Sequence, residues 1–233
     1  MKTALVTGGT RAIGAAIAQA LMETDHHVIV TGTSPEGKGP EGSAYLPCDF
    51  SNLSEVHALG KEISGLDVSV LVNNAGVRNV STVEEFDPDG FLHLQQVNVT
   101  APFFLCQSVI PGMRHREFGR ILNLTSVFSV VSKPGRSAYS MSKLGLVGLT
   151  RALALEVAAD NVLVNCLGPG FVETEATLQT LGEAGVAEMV AQVPIGRLAQ
   201  PEEIAKYAVF LTSDSNSYMT GQNIIVDGGF ACA

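Results

Sequence analysis

Three side chains stand at spacings that could move a proton: Ser126, Tyr139 thirteen positions later, and Lys143 four beyond that. The run Arg120-Ile-Leu-Asn-Leu-Thr125 has strand character and delivers Ser126 at a strand end, and a helix is predicted to begin near Ser137. Positions four apart share a helix face, so Tyr139 and Lys143 are neighbours. A phenol ordinarily titrates near pH ~10, and a fixed ammonium beside it favours the phenolate and brings it toward working pH. Tyr139 is therefore a candidate general acid or base. Ser126, arriving from a different element, could hydrogen-bond the carbonyl or alcohol oxygen on which Tyr139 acts. Tyr-x-x-x-Lys alone is a short pattern that any exposed helix can carry; the serine upstream and the turns described next give it weight.

The elements that must position these groups begin at the first strand, Thr3–Thr7. It runs into Thr7-Gly-Gly-Thr-Arg-Ala-Ile-Gly14, and then into the helix-forming stretch Ala15–Leu21. Strand, glycine-rich turn and helix N-terminus together make an anion site from backbone N–H groups and the helix dipole. Gly8, Thr10, Arg11, Ile13 and Gly14 are thus candidate cofactor-binding residues. The second strand, His27–Thr31, ends in Gly32-Thr33-Ser34. An acidic side chain there would bind the ribose 2′-hydroxyl of NAD. Gly32 holds that place instead, and Arg11, Thr33 and Ser34 can meet a 2′-phosphate, which favours NADP(H) over NAD(H). Pro35, Gly37, Gly39 and Pro40 leave no stable helix between Ser34 and Gly42. A strand Ala44–Cys48 follows, then a helix through about Ile63 capped by Asn52 or Ser54.

Val68–Val72 is a buried-strand pattern leading to Asn73-Asn-Ala-Gly76, small residues that let a backbone approach a cofactor. A long helix is expected from about Asp87 to Glu117. Pro102 within it has no N–H to give the carbonyl of Asn98, so that carbonyl is left free. In the helix after Ser137, Leu146, Leu149, Leu153 and Val157 form one apolar stripe, with Leu144 and Leu155 roughly opposite. Such a helix is buried on two sides. With Gly145 and Gly148 admitting another backbone, a subunit contact is expected there.

The 233 residues suit one large α/β domain, 46% hydrophobic and 16% charged, with no repeats and no apolar run long enough to cross a membrane. The chain begins directly in a strand, so no signal peptide and a cytoplasmic location are expected. The net charge of -9 argues against a nucleic-acid partner, which would need a basic face. Cys48, Cys106, Cys166 and Cys232 have no metal-site spacing, so no metal is expected.

On the Ser126, Tyr139, Lys143 spacing, the Gly8 to Gly14 turn and the Asn73–Gly76 tetrapeptide, the chain resembles the short-chain dehydrogenase/reductase family from Leu5 to Gly229. The resemblance implies a doubly wound α/β Rossmann fold with a largely parallel sheet of about seven strands. It also implies nicotinamide-dependent oxidoreduction at CH–OH/C=O groups. Tyr139 would exchange the proton, Ser126 polarise the substrate oxygen, and Lys143 bind the nicotinamide ribose while tuning Tyr139. Asn98 would hold a water linking the lysine to solvent. Asp49 and Phe50 would lie at the adenine, and Asn74, Ala75 and Gly76 along the cofactor. Pro169, Gly170, Val172 and Thr174 would cover the nicotinamide. The family pattern has glycine where Ala12 stands, and a methyl group there requires a negative backbone angle.

Residues 174–194 are expected to form a substrate lid over an apolar acyl or alkyl group. Ala191–Leu198 and the short C-terminal end look most like 3-oxoacyl-(acyl-carrier-protein) reductases, making an acyl-thioester substrate, an acyl carrier partner and a homotetramer the implied setting. Lys133 and Arg136, with Arg114, Arg116 and Arg120 nearby, are the bases a carrier would meet, although Glu117 and Asp160 oppose them. A secondary-alcohol, steroid or sugar dehydrogenase is the alternative, and a dinucleotide-sensing regulator the non-enzyme one.

Overall fold

The computed structural model describes residues 1–233. Seven strands form one fully parallel sheet: β1 (Lys2–Val6), β2 (His26–Gly32), β3 (Ala44–Pro47), β4 (Val68–Asn73), β5 (Gly119–Leu124), β6 (Val162–Pro169) and β7 (Asn223–Val226). Their spatial order is β3-β2-β1-β4-β5-β6-β7. The chain winds outward in one direction from β1 and in the other from β4. A crevice therefore opens between the C-terminal ends of β1 and β4, where open α/β sheets take their ligands.

Central strands covered on both faces read as largely apolar runs, and β4 and β5 are buried along their whole length, including Asn73, Arg120 and Asn123. Helices α1 (Ala12–Met22) and α7 (Pro201–Thr212) cover one face, with Ile17, Leu21, Ile204 and Leu211 packed on Val6, Val30, Val72 and Leu122. Helices α2 (Leu53–Ile63), α4 (Ala101–His115) and α5 (Ser137–Val157) cover the other, where Leu59, Leu105, Met113 and Val157 meet Leu5, Leu71 and Ile121. Each such large side chain contributes about 1.5–3 kcal/mol by leaving water.

The local expectations for β3 and α2 hold: Asn52 caps α2 by accepting from the Ser54 N–H, and no helix separates β2 from β3. The expected long helix is divided. It runs as α3 (Pro88–Gln95), a wider π-helical turn over Gln96–Thr100, and then α4. Pro102 supplies no N–H to the carbonyl four residues back, and the backbone just before it adopts the i→i+5 pattern, with the Ala101 N–H reaching the Gln96 carbonyl. The remaining helix, α6 (Glu175–Val190), is broken at Gly182, whose φ of 62 and ψ of -178 are not helical.

Candidate active site

The glycine-rich turn is folded tightly on the end of β4. Gly8 has φ 61, and a Cβ at Gly14 would collide with the Gly8 carbonyl and the Asn74 side chain. Asn74 fastens the two loops together: its Nδ2 donates to the carbonyls of Thr7 (2.8 Å) and Gly8 (3.1 Å), while Thr7 Oγ1 accepts from the N–H groups of Asn74 and Ala75. Above this floor lies a cavity of about 630 Å³. Gly8, Thr10, Arg11, Ile13 and Gly14 line it from the turn. Thr33 and Ser34 line it from the end of β2, Asp49 and Phe50 from the end of β3, and Asn74, Ala75 and Gly76 from the end of β4. All twelve are thus brought together, and small residues with closely approaching backbone make a floor that fits a dinucleotide. Asp49 is held ionised by the Ser51 N–H and hydroxyl, which keep its carboxyl below the usual range.

Ala12 departs from expectation. Its φ is 48, in the left-handed region and not at a negative angle. The turn keeps the shape that a glycine would favour, and the methyl group carries the strain, on the order of 1–2 kcal/mol.

A second cavity of about 440 Å³ adjoins the first, sharing Arg11, Ile13, Asn74, Gly76 and Val77 with it. Ser126 enters it from the end of β5, and Tyr139 and Lys143 from the first two turns of α5. Pro169, Gly170, Val172 and Thr174 line its far side after β6. Ser126 accepts from the Phe128 N–H, and the Thr174 hydroxyl accepts from the Thr177 N–H to start α6. Lys143 is buried, with Nζ donating to the Leu124 carbonyl at 2.8 Å and lying 5.7 Å from the centre of the Tyr139 ring.

The electrostatics differ from the simple phenol and ammonium pair. Burial raises the Tyr139 hydroxyl above its ordinary value, while the neighbouring Ser126 hydroxyl and the guanidiniums of Arg78 and Arg136 draw it back. Burial also pushes the Lys143 ammonium down to about 8. The cations that draw the Tyr139 hydroxyl down are therefore Arg78 and Arg136, in place of the expected Lys143.

Asn98 lies behind the cavity wall at the middle of the π-helical turn. Its side chain is its visible link: Oδ1 accepts from the Val77 N–H at 2.8 Å, and Nδ2 donates to the Val77 carbonyl and to Ser142 Oγ. It thereby joins the end of β4 to α5. A second polar line crosses beneath the site. Asn73 Nδ2 donates to Asn123 Oδ1 at 2.8 Å, Asn123 Nδ2 donates to Thr150 Oγ1 at 2.8 Å, and Thr150 Oγ1 lies 3.0 Å from Cys166 Sγ.

Residues 8–231 match the family described as enoyl-(acyl carrier protein) reductase. The chain is 35% identical to the 3-oxoacyl-(acyl-carrier-protein) reductase FabG of Haemophilus influenzae, over 98% of this chain and 97% of that protein. The chain belongs to the short-chain dehydrogenase/reductase family. As a short-chain dehydrogenase/reductase it is an oxidoreductase acting on CH–OH/C=O groups. A solved short-chain dehydrogenase/reductase superposes with a TM-score of 0.90 at 36% identity, covering 100% of this chain and 98% of its own. A 4-hydroxyisoleucine dehydrogenase complexed with NADH superposes with a TM-score of 0.91 at 28% identity, covering both chains completely.

Residues that sequence reasoning passed over also line the two cavities of this short-chain dehydrogenase/reductase. Lys38, in the loop between β2 and β3, lines the first cavity beside Thr33 and Ser34. Arg78, Phe128, Phe171 and Met189 line the second. Phe171 packs edge-on against Phe230 with ring centres 4.9 Å apart, and Lys133 lies over both rings while hydrogen-bonding Gln192. No spacing rule marks these residues, because they reach the site from separate loops.

The group of bases expected near the catalytic loop is dispersed. Arg114 pairs with Asp160, and Arg116 with Asp67. Arg120 is buried, donating to the carbonyls of Gly119, Asn161, Ser213 and Asn216. These three flank the start of β5, whereas Ser126 follows its end. Strand direction separates them from the site.

Proposed function

We propose that the protein uses NADPH to reduce a carbonyl to a secondary alcohol, and that its substrate is a short 3-oxoacyl thioester. The observation that carries the reaction class is the meeting of Ser126, Tyr139 and Lys143 in a cavity continuous with a glycine-floored crevice. NADPH, when bound, supplies the hydride. Tyr139 gives its hydroxyl proton to the substrate oxygen as the carbonyl carbon accepts that hydride, so the C=O π pair becomes the new O–H bond. Ser126 hydrogen-bonds the same oxygen and favours the charge developing there. Lys143 keeps a cation next to Tyr139, and Asn98 holds α5 and the end of β4 in register. The residues around Asp49, Asn74 and Val172 hold the cofactor, and α6, broken at Gly182, acts as the substrate lid.

NADP(H) preference is supported by Arg11 and Lys38 at a crevice with no carboxylate among Gly32, Thr33 and Ser34. The thioester is supported by the name of the Haemophilus relative, which acts on acyl-carrier substrates, and by the aromatic lining of the cavity. A homotetramer is supported by a face of exposed Phe103, Met141, Leu144 and Leu155 with open space at Gly148. A cytoplasmic setting fits three buried free thiols, Cys48, Cys106 and Cys166; no helix is long and apolar enough to cross a membrane. The second reading, a dehydrogenase of a polar secondary alcohol, is favoured by one observation: Arg114, Arg116 and Arg120 are engaged far from the cleft and cannot receive an acidic carrier.

NADPH oxidation with acetoacetyl thioester, beside NADH, an enoyl thioester, simple ketones and sugars, tests this. Turnover of the oxo thioester with NADPH is expected. Turnover confined to ketones or sugars would transfer the chain to the second reading, and a preference for NADH would overturn the roles given to Arg11 and Lys38.

A further inference from the structure

The chain has eight arginines. Arg114, Arg116 and Arg197 sit in ion pairs, and Arg120 is buried among carbonyl groups. The other four are Arg11, Arg78, Arg136 and Arg151, none of which forms an ion pair. Three of those four line the cleft. In a protein with 23 acidic residues and a net charge of -9, these guanidiniums form no ion pair, and no Asp or Glu lines the second cavity. Arg11 stands at the glycine-rich turn and belongs to the cofactor side. Arg78 and Arg136 do not.

Arg78 follows directly on Gly76 and Val77 after β4, and Arg136 precedes Tyr139 by three residues at the start of α5. The Arg136 guanidinium carbon lies 5.5 Å from the centre of the Phe128 ring, and that ring is 6.4 Å from Tyr139. Each arginine acts electrostatically on Tyr139, and Arg78 also acts on Arg136. Two like charges held at one cavity wall repel, and an anion between them removes the repulsion. A carboxylate matches the planar donor fork of a guanidinium. The rest of the wall, Phe128, Phe171 and Met189, accepts a short hydrocarbon.

We propose that the substrate carries a carboxylate, bound by Arg78 and Arg136 while Ser126 and Tyr139 meet its ketone or alcohol oxygen. The substrate class is then a short oxo acid or the corresponding hydroxy acid. This rests on the carbonyl-reductase reading and narrows it: a 3-oxoacyl thioester whose acyl chain itself ends in a carboxylate fills the site fully, and a plain acetoacetyl thioester turns over more slowly.

3-Oxobutanoate and its methyl ester differ in charge at one end and test the proposal directly. With NADPH, kcat/KM is expected to be at least about tenfold higher for the acid, the scale of one charge-assisted hydrogen bond, with most of the difference in KM. Arg78→Gln and Arg136→Gln should each lower the acid-to-ester ratio, and the double variant should bring it near one. Comparing two substrates on the same protein cancels losses of folding or of cofactor affinity. Malonate, which cannot be reduced, should compete with the ester in the wild type and weaken at least about tenfold in the double variant. A wild-type ratio of one or less, or a ratio unchanged in the double variant, overturns the carboxylate site while leaving the reductase reading intact. Absence of turnover with both compounds and with every carbonyl in the assay above overturns both.

Discussion

The two halves of the cleft are made of different material. The cofactor half is floored by backbone and very small side chains, with Gly8, Gly14, Asn74 and Gly76 drawing β1, α1 and β4 together. The substrate half is walled by large side chains from separate segments: Phe128, Arg136, Phe171, Met189 and, behind them, Phe230. A floor of backbone fits one shape whatever the neighbouring residues are, whereas a wall of side chains can be rebuilt residue by residue. The first is suited to one constant cofactor and the second to a substrate particular to this chain.

The largest effect is expected where the substrate half does chemistry. Tyr139→Phe removes the proposed proton donor and leaves the glycine floor untouched. Turnover should fall by about 10²–10⁴-fold, the usual worth of a positioned acid, while the dissociation constant for NADPH, read by fluorescence titration, should move less than about threefold. Comparable losses in both measurements would mean that the two halves are not separable.

Lys143 stands at the seam. Its folded-state value of about 8 lies below its ordinary 10.5, so between those values the unfolded chain binds the extra proton and stability from this group rises with pH. Below pH 8 the buried ammonium costs the fold up to ~3 kcal/mol. Lys143→Met should therefore resist urea better than the wild type at pH 7, with its advantage shrinking as pH approaches 10.5. Taking the difference between the two proteins cancels the opposite contributions of the buried thiols and Tyr139. An advantage that stays constant with pH would refute the assignment of the shift to burial of this charge.

Smaller effects belong to the cofactor half, because backbone does most of the holding there. Arg11→Ala should lower the preference for NADPH over NADH by about tenfold, as loss of one charge-assisted bond would, and an unchanged ratio of kcat/KM values would leave Lys38 as the phosphate partner. Ala12→Gly relieves the left-handed strain at φ 48 but adds freedom to the unfolded chain, for a net gain of about 0.5–1 kcal/mol in urea unfolding. Destabilisation would show that the methyl group packs usefully in the turn.

The same division explains what could be read from the sequence. Glycines and Asn73–Gly76 announce themselves because a tight turn tolerates few other residues, and Ser126, Tyr139 and Lys143 because strand end and helix period bring them together. The cap of α2 at Asn52 followed from local pattern in the same way, whereas the doubly wound sheet came from the family resemblance. Ala12 misled, because a turn set by its neighbours overrides one residue's preference. The division of the long helix at Gln96–Thr100 was partly visible in Pro102, but proline states where a bond is lost and not how the backbone absorbs it. Arg78, Phe171 and Phe230 could not be found, since their meeting depends on loops more than fifty residues apart. Arg114, Arg116 and Arg120 looked close in number to the catalytic loop, yet a six-residue strand carries them to the opposite end of the sheet.

The line from Asn73 through Asn123 and Thr150 to Cys166 ties β4, β5, α5 and β6 side chain to side chain, below the level of the backbone ladder. Parting any of these elements would strand buried polar atoms on its neighbours, each at a cost of about 1–3 kcal/mol. Opening there should accordingly be all or none. In hydrogen exchange, the amides of β4, β5 and β6 would lose protection together, and the protons on the Asn73 and Asn123 side chains would exchange with them as slowly as the backbone.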